Sequence, residues 1–298
     1  MSSPWTLGLR SVALDVPDLA RAETFYTDVW RLIVVARTDS AIYLRGSGAD
    51  HHLLSLHAAD KLALRNVTLR ARSAQALADV GAAVLAAGGS LHAGLGPITE
   101  PGGGQGLTLR DPRGRLLRLV HGDERHVGID GEPDRPVRLA HAVLNSPDVA
   151  ACQRFLEQAL GFTLADRTRI MAFLNCDRDH HTIALGDADN DALNHIAFLM
   201  PDVDAVMRGG GRMRDAGHAI EWGPGRHGPG NNAFNYFIGP FGEVIEYTAE
   251  VEQIDDSYPV GGPADWTWPP GRVDQWGISA PPSAALKAAQ RQVFFIPS

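Results

Sequence analysis

RSVALDVPDLARAETFY (residues 10–26) returns in altered form as AHAVLNSPDVAACQRFL (residues 140–156). The Pro-Asp pairs in the two stretches, Pro17-Asp18 and Pro147-Asp148, lie 130 positions apart. Three further anchors keep nearly the same offset. IYLRGSGADHHLLSLHAA (42–59) matches AFLNCDRDHHTIALGDA (172–188), with His51-His52 set 129 positions before His180-His181. LRNVTLRARSAQAL (64–77) matches LNHIAFLMPDVDAV (193–206), and DPRGRLLRL (111–119) matches GPFGEVIEY (239–247). Constant spacing of four anchors makes the chain two copies of one unit of about 120 residues, followed by a tail.

Each copy divides again. Asn66 follows Ser11 by 55 positions and His195 follows His141 by 54. All four stand on short apolar strands that precede helical patterns. Within 18–29, Leu19, Ala22, Tyr26 and Val29 share one helical face; within 148–160, Val149, Cys152, Phe155, Leu156 and Leu160 do so. Ser146 before Pro147 reads as an N-cap with proline in the first turn. Ser73 reads as the cap of a helix that runs to Ala87 and ends at Gly88-Gly89. Short β-like runs broken by Gly and Pro follow the helices, as at 163–164, 171–174, 182–185 and 234–238. The pattern predicts an α+β fold of four βαβββ modules paired into two domains, residues 1–125 and 137–250. The stretch 122–136 is the expected linker, GGGQG (102–106) a hairpin loop, and 251–298 a separate Pro- and Trp-rich tail. Three tryptophans (Trp266, Trp268, Trp276) and an apolar ending at 293–296 predict that this tail packs on the protein.

Composition excludes several classes of function. Hydrophobic residues make up 44% of the 298 residues and charged residues 21%, which suits a globular protein with ample core. The net charge of −8 and only two lysines, Lys61 and Lys287, argue against nucleic acid as a partner. No apolar run reaches the roughly 18 residues of a membrane span, and the first residues lack the layout of a signal peptide. Two cysteines, Cys152 and Cys176, make no disulfide framework, so a cytoplasmic setting is expected.

The two copies differ where chemistry could sit. At matched positions the first copy has Ser11, Asn66 and Arg118, a set that cannot hold a divalent cation, while the second has His141, His195 and Glu246. Two imidazoles and one carboxylate form the facial set of non-haem iron(II) sites that handle oxygen, with positions left open. Leu139, His141 and Val143 alternate onto one strand face, as do Leu193, His195, Ala197 and Leu199. A lone imidazole among apolar neighbours is often just a hydrogen-bonded core residue; three candidate ligands at repeat-matched positions are a stronger signal. Periodicity does not decide which face of its strand Glu246 occupies.

The segment GPGRHGPGNNAFNYFIGPFGEVIEY (223–247) resembles the signature of the type I extradiol dioxygenases of the vicinal oxygen chelate superfamily. His227, Tyr236 and Glu246 match its Gly-Arg-His, aromatic-Tyr and closing Glu steps. A second match is Asn-x-x-x-His-His, from Asn175 to His181. The similarity runs from about residue 5 to residue 275. The resemblance implies that each domain is an open mixed β barrel with flanking helices. It implies that His141, His195 and Glu246 hold iron(II), with manganese(II) as the other candidate. It assigns His181 as acid–base group and His227 and Tyr236 as hydrogen-bonding residues, acting on a catechol and O2. Homo-oligomers are common in that family, so one is expected, and its extended C-termini serve as a lid over the site or in subunit packing, two roles left open for this tail.

Some family members that take carboxylated catechols carry Arg where this chain has Trp222, so the substrate side chain is expected to be apolar. Phe173 is a second candidate to line that pocket, and Arg272 a candidate to reach it from the tail. Two other classes stay open. One is a different metalloenzyme of the superfamily, such as a glyoxalase or epimerase. The other is a non-catalytic protein that sequesters an aromatic compound or antibiotic.

Overall fold

A computed structural model describes residues 3–296. Four βαβββ modules follow one another along it. The first comprises β1 (Thr6–Val16), α1 (Leu19–Thr24), β2 (Ile33–Arg37), β3 (Ala41–Arg45) and β4 (Leu54–Ala58). The second comprises β5 (Ala63–Ala71), α2 (Ala74–Ala86), β6 (Ser90–Pro97), β7 (Gln105–Arg110) and β8 (Leu116–His121). The third comprises β9 (Arg138–Ser146), α3 (Val149–Leu160), β10 (Thr163–Arg167), β11 (Met171–Asn175) and β12 (Ile183–Asp187). The fourth comprises β13 (Leu193–Leu199), α4 (Val203–Asp215), β14 (Trp222–Arg226), β15 (Ala233–Ile238) and β16 (Val244–Ala249). A short helix, α5 (Ala284–Ala289), lies in the tail.

The modules pair through their first strands. The two eight-stranded sheets have the orders β2-β3-β4-β1-β5-β8-β7-β6 and β10-β11-β12-β9-β13-β16-β15-β14. The expected α+β repeat is thus present, as mixed sheets that remain open rather than closing into a full barrel. Each sheet buries one face against its helices in a shared core that includes Leu14, Leu69, Leu144 and Phe198. The opposite, concave face is left for a site.

Helix starts explain the repeated Pro-Asp pairs. Asp18, Asp148 and Asp202 are N-caps, accepting from the amides of Arg21, Ala151 and Ala205. The cap of α3 is therefore Asp148, two residues later than Ser146, whose hydroxyl instead accepts from the Asp148 amide at 3.1 Å. Ser73 caps α2 as expected. The helix after Asp18 does not continue regularly to Val29; its last turn widens to π geometry over Phe25–Val29 and turns Trp30 into the core.

The tail returns to the repeat axis. The Val293 carbonyl accepts from the amide of Leu193, and the Phe294 carbonyl from the amide of Leu64, both at 2.8 Å. Leu64 and Leu193 are matched positions at the starts of β5 and β13, so the tail binds the same place in both copies.

Candidate metal centre and its surroundings

Trp222, Tyr236, Glu246, Ala197 and His141 pair in succession across β14, β15, β16, β13 and β9. Directly paired residues present side chains to the same face of a sheet. His195, two residues before Ala197, joins them. Pairing decides what periodicity left open: Ile245 and Tyr247 enter the helix-side core, and Glu246 points to the concave face, fully buried. The simple alternation fails at two places. Leu139 pairs with Phe198 and Leu193 with Leu144, each separated by a register shift from the His141 and His195 rungs. Both leucines consequently lie in the helix-side core, opposite to the histidines they were expected to accompany.

The three side chains converge. His141 Nε2 and His195 Nε2 each stand 3.2 Å from Glu246 Oε2, and 3.4 Å from one another. Ligands on one face of an octahedral divalent ion, bound at about 2.1 Å, stand roughly 3.0 Å apart. The observed triangle thus fits a small divalent cation held facially. Charge points the same way. Glu246 is a fully buried carboxylate whose ion-pair neighbours, among the described residues, are only the imidazoles of His141, His195 and His227. Burial opposes its ionisation, but the hydrogen bonds from those imidazoles outweigh it and hold the carboxyl well below the usual range. Burial also lowers the His195 pKa to about 4, leaving the neutral imidazole that a metal requires.

Neighbouring groups orient this triangle. His195 Nδ1 lies 2.8 Å from Asn194 Oδ1, and that oxygen also accepts from Gln290 Nε2 in the tail at 2.9 Å. Asn232 Nδ2 donates to Thr248 Oγ1 at 2.7 Å and reaches Glu246 Oε1 at 3.5 Å. His141 Nδ1 is buried without a hydrogen-bond partner. Asn194, Asn232 and Thr248 carry no motif of their own. Adjacency to His195 and the shared face with Glu246 were the only signals for the first and last, and none pointed to Gln290.

Three further residues named from the sequence line the centre. The His181 ring lies 4.2 Å from the His141 ring, centroid to centroid. Burial first, then nearby His141 and His180, lowers the His181 pKa well below its ordinary value, so it is neutral. His227 Nε2 lies 3.0 Å from the Tyr236 hydroxyl, which lies 3.4 Å from His195 Nε2. Gly230 makes the closeness of His181 feasible: its φ is +78°, and a Cβ there would sit 2.9 Å from His181 Cε1.

Trp222 lies with its ring centroid 5.0 Å from Tyr236 and 5.1 Å from His227. Phe173 lies 5.1 Å from His181. Arg272 is exposed; its guanidinium hydrogen-bonds to the carbonyls of Asp274 and Gln275 in its own turn and stacks over Trp268. Tail residue Gln275, rather than Arg272, binds the site loop, donating to the carbonyl of His227 and to Asn231 Oδ1.

The equivalent place in the first copy is filled. Arg118, matched to Glu246, forms a two-pronged ion pair with Glu100 at 2.7 and 3.1 Å. The cavity beside it measures about 10 Å³, room for roughly one water.

Comparison with known proteins places this geometry. A family model described as glyoxalase/bleomycin resistance protein/dioxygenase superfamily matches residues 138–247. A Mn(II)-bound glyoxalase from Novosphingobium aromaticivorans superposes with a TM-score of 0.88, at 34% identity, over 96% of this chain and 94% of that one. The chain belongs to this superfamily. Within it, metapyrocatechase 2 of Cupriavidus necator is 29% identical over 301 residues, covering 90% of this chain and 88% of the relative. A homoprotocatechuate 2,3-dioxygenase from Brevibacterium fuscum shares the fold, with a TM-score of 0.82 at 24% identity over 93% of this chain and 80% of that one. The resemblance to type I extradiol dioxygenases read from residues 223–247 therefore stands, as does a divalent metal site of the His-His-Glu kind.

Proposed function

We propose that the chain is an iron(II)-dependent extradiol dioxygenase that cleaves a catecholic ring beside its vicinal hydroxyls and inserts both atoms of O2. The observation that carries this reading is the buried triangle of His141, His195 and Glu246 with His181, His227 and Tyr236 on its rim. A divalent metal held by His141, His195 and Glu246 would supply Lewis-acid activation of the diol and of O2. His181, neutral and in ring contact with His141, accepts a proton from a substrate hydroxyl and returns it later. His227 and Tyr236 donate hydrogen bonds to substrate oxygens as negative charge develops. Trp222 and Phe173 favour an apolar substituent on the ring.

In this reading residues 137–250 perform the chemistry and residues 1–125 brace them. Residues 251–298 cap the site as a lid, supported by Gln275 on the His227 loop and by Trp266 and Trp268 against Gly228. The facial two-histidine, one-carboxylate set is that of non-haem iron(II) oxygenases, and manganese(II) is the other metal the same set accepts. A reducing, cytoplasmic setting is supported by the free, buried thiols of Cys152 and Cys176. Assembly into a homo-oligomer rests on the resemblance.

Anaerobic purification with iron(II), followed by a spectrophotometric screen of catechol, alkylcatechols and arylcatechols, tests the proposal. Yellow ring-opened products of the 2-hydroxymuconic-semialdehyde type, with stoichiometric O2 uptake, are expected. Metal-loaded protein that consumes no O2 with any of these would overturn it. The name of the Novosphingobium relative favours a second reading, isomerisation of a thiohemiacetal by a glyoxalase. Turnover of methylglyoxal with glutathione, without O2, would select that reading instead.

A further inference from the structure

His180 and His181 meet nitrogen to nitrogen, Nδ1 to Nδ1, at 3.1 Å. On its other edge His180 Nε2 lies 2.7 Å from Asp166 Oδ2, and both residues are fully buried. Asp166 is filled with donors. Its Oδ1 accepts from the Gly261 amide at 2.7 Å and its Oδ2 from the Tyr258 hydroxyl at 3.0 Å. A carboxylate so used accepts from His180 as well; the neutral imidazole, with one proton, then carries it on Nε2 and offers a lone pair at Nδ1. His181 must then carry its proton on Nδ1. Its Nε2, on the opposite edge of the ring, is left as a bare lone pair.

The repeat supplies an internal control. The first copy has the same imidazole pair, with His51 Nδ1 2.9 Å from His52 Nδ1. In the second copy Asp166 pairs with Phe173 just past a register shift in β10; at the matched rung of β2 stands Ala36, paired with Tyr43. The paired histidines are thus common architecture. Among the described residues, a buried carboxylate within hydrogen-bond reach stands behind the pair in the copy that carries His141, His195 and Glu246; in the first copy His51 Nε2 faces the exposed Glu124 at 3.9 Å. Tyr258 and Gly261 come from the tail, which has no counterpart in the repeat.

We propose that Asp166 and His180 are positioning residues that fix His181 in the Nδ1-protonated tautomer, and that the tail completes this device by holding Asp166. The proposal deepens the ring-cleavage reading and rests on it for the role of His181. In the reaction a proton passes from a substrate hydroxyl to the His181 Nε2 lone pair, the O–H electrons staying on oxygen; the opposite tautomer has no lone pair to receive it.

Asp166→Asn tests this with almost no change of shape. The Gly261 amide still needs an acceptor, so the oxygen of the new carboxamide stays there and its NH2 group turns to His180 Nε2. Each histidine then shifts its proton: His180 to Nδ1, His181 to Nε2. Protein labelled with 15N at histidine and loaded with diamagnetic zinc(II) reports the tautomer directly, with His181→Gln assigning the signal. Wild type is expected to show His181 protonated at Nδ1, and Asp166→Asn at Nε2. With iron(II), kcat of Asp166→Asn is expected to fall about 100-fold or more, while KM and metal content stay within about threefold. Wild type protonated at His181 Nε2, or Asp166→Asn with unchanged tautomer and kcat, would overturn the proposal. The wild-type spectrum decides even where the variant does not fold. If wild type cleaves no catechol yet shows the stated tautomer, the ring-cleavage reading fails and the positioning device remains.

Discussion

The indole of Trp30 lies flat on the phenol ring of Tyr247, centroids 3.7 Å apart and planes 7° from parallel. The Tyr247 hydroxyl donates to the Trp30 carbonyl at 2.9 Å. Tyr247 is the strand neighbour of Glu246 and points to the opposite face. A residue of the first copy, which has no metal ligands, thereby supports the strand that presents the carboxylate in the second.

Trp30→Ala should therefore act at two levels. Trp30 is fully buried, and removing so large a core side chain costs about 3–5 kcal/mol. Urea unfolding should show that loss, and iron occupancy should fall with it as β16 loosens. A change under about 1 kcal/mol would mean that the stack contributes little.

Glu246→Gln removes the one negative charge that balances the cation. Purified protein should retain less than about a tenth of the wild-type metal by elemental analysis, since binding needs the deprotonated ligand. Full occupancy in this variant would rule out the triangle as the metal site.

Asn194→Ala removes the acceptor that orients His195 through Nδ1. Metal affinity should weaken roughly 10- to 100-fold, as for other groups that hold a ligating imidazole. Gln290→Ala, which unpins Asn194 from the tail, should weaken it in the same direction but less. Competition titration with a chelator would measure both.

Trp222 should set the preference among catechols. Wild type is expected to turn over alkyl- or arylcatechols faster than carboxylated ones, judged by kcat/KM. Trp222→Ala should raise KM for the substituted substrates more than for catechol itself. Faster turnover of a carboxylated catechol by wild type would contradict an apolar pocket at this position.

Stability should depend on pH through the buried histidines, those of the first copy among them. Burial, then the charge of Arg10, pushes the His52 pKa well below 6.5; burial lowers His51 and His57 as well. Below pH 6.5 the unfolded chain gains protons that these folded side chains refuse, so stability falls with acid; above 6.5 their contribution is complete. Asp177 acts the other way. Its pKa rises from 3.8 to about 6 by burial, so its contribution is present in acid and fades between those values. Comparing wild type with His52→Asn separates the two effects: the variant's unfolding midpoint should decline less steeply from pH 6.5 to 5 in metal-free protein. Parallel declines would remove His52 as the cause.

The order of modules and the choice of His141, His195 and Glu246 as candidate ligands follow from the residues read in line. Both are local or comparative signals: capping residues and apolar periods mark each element, and the repeat offset sets the three against Ser11, Asn66 and Arg118. The rest waited on how the strands pair and pack. Period-two alternation cannot tell inside from outside when both faces of a strand are buried, one against helices and one around a site, so Glu246 was ambiguous until β15 and β13 paired with β16. Register shifts between β9 and β13, invisible in either strand alone, moved Leu139 and Leu193 to the far face. The links from Gln290 to Asn194 and from Tyr258 to Asp166 join residues 96 and 92 positions apart. Such contacts depend on where a tail without a repeat partner comes to rest, and that depends on the packing of the whole chain.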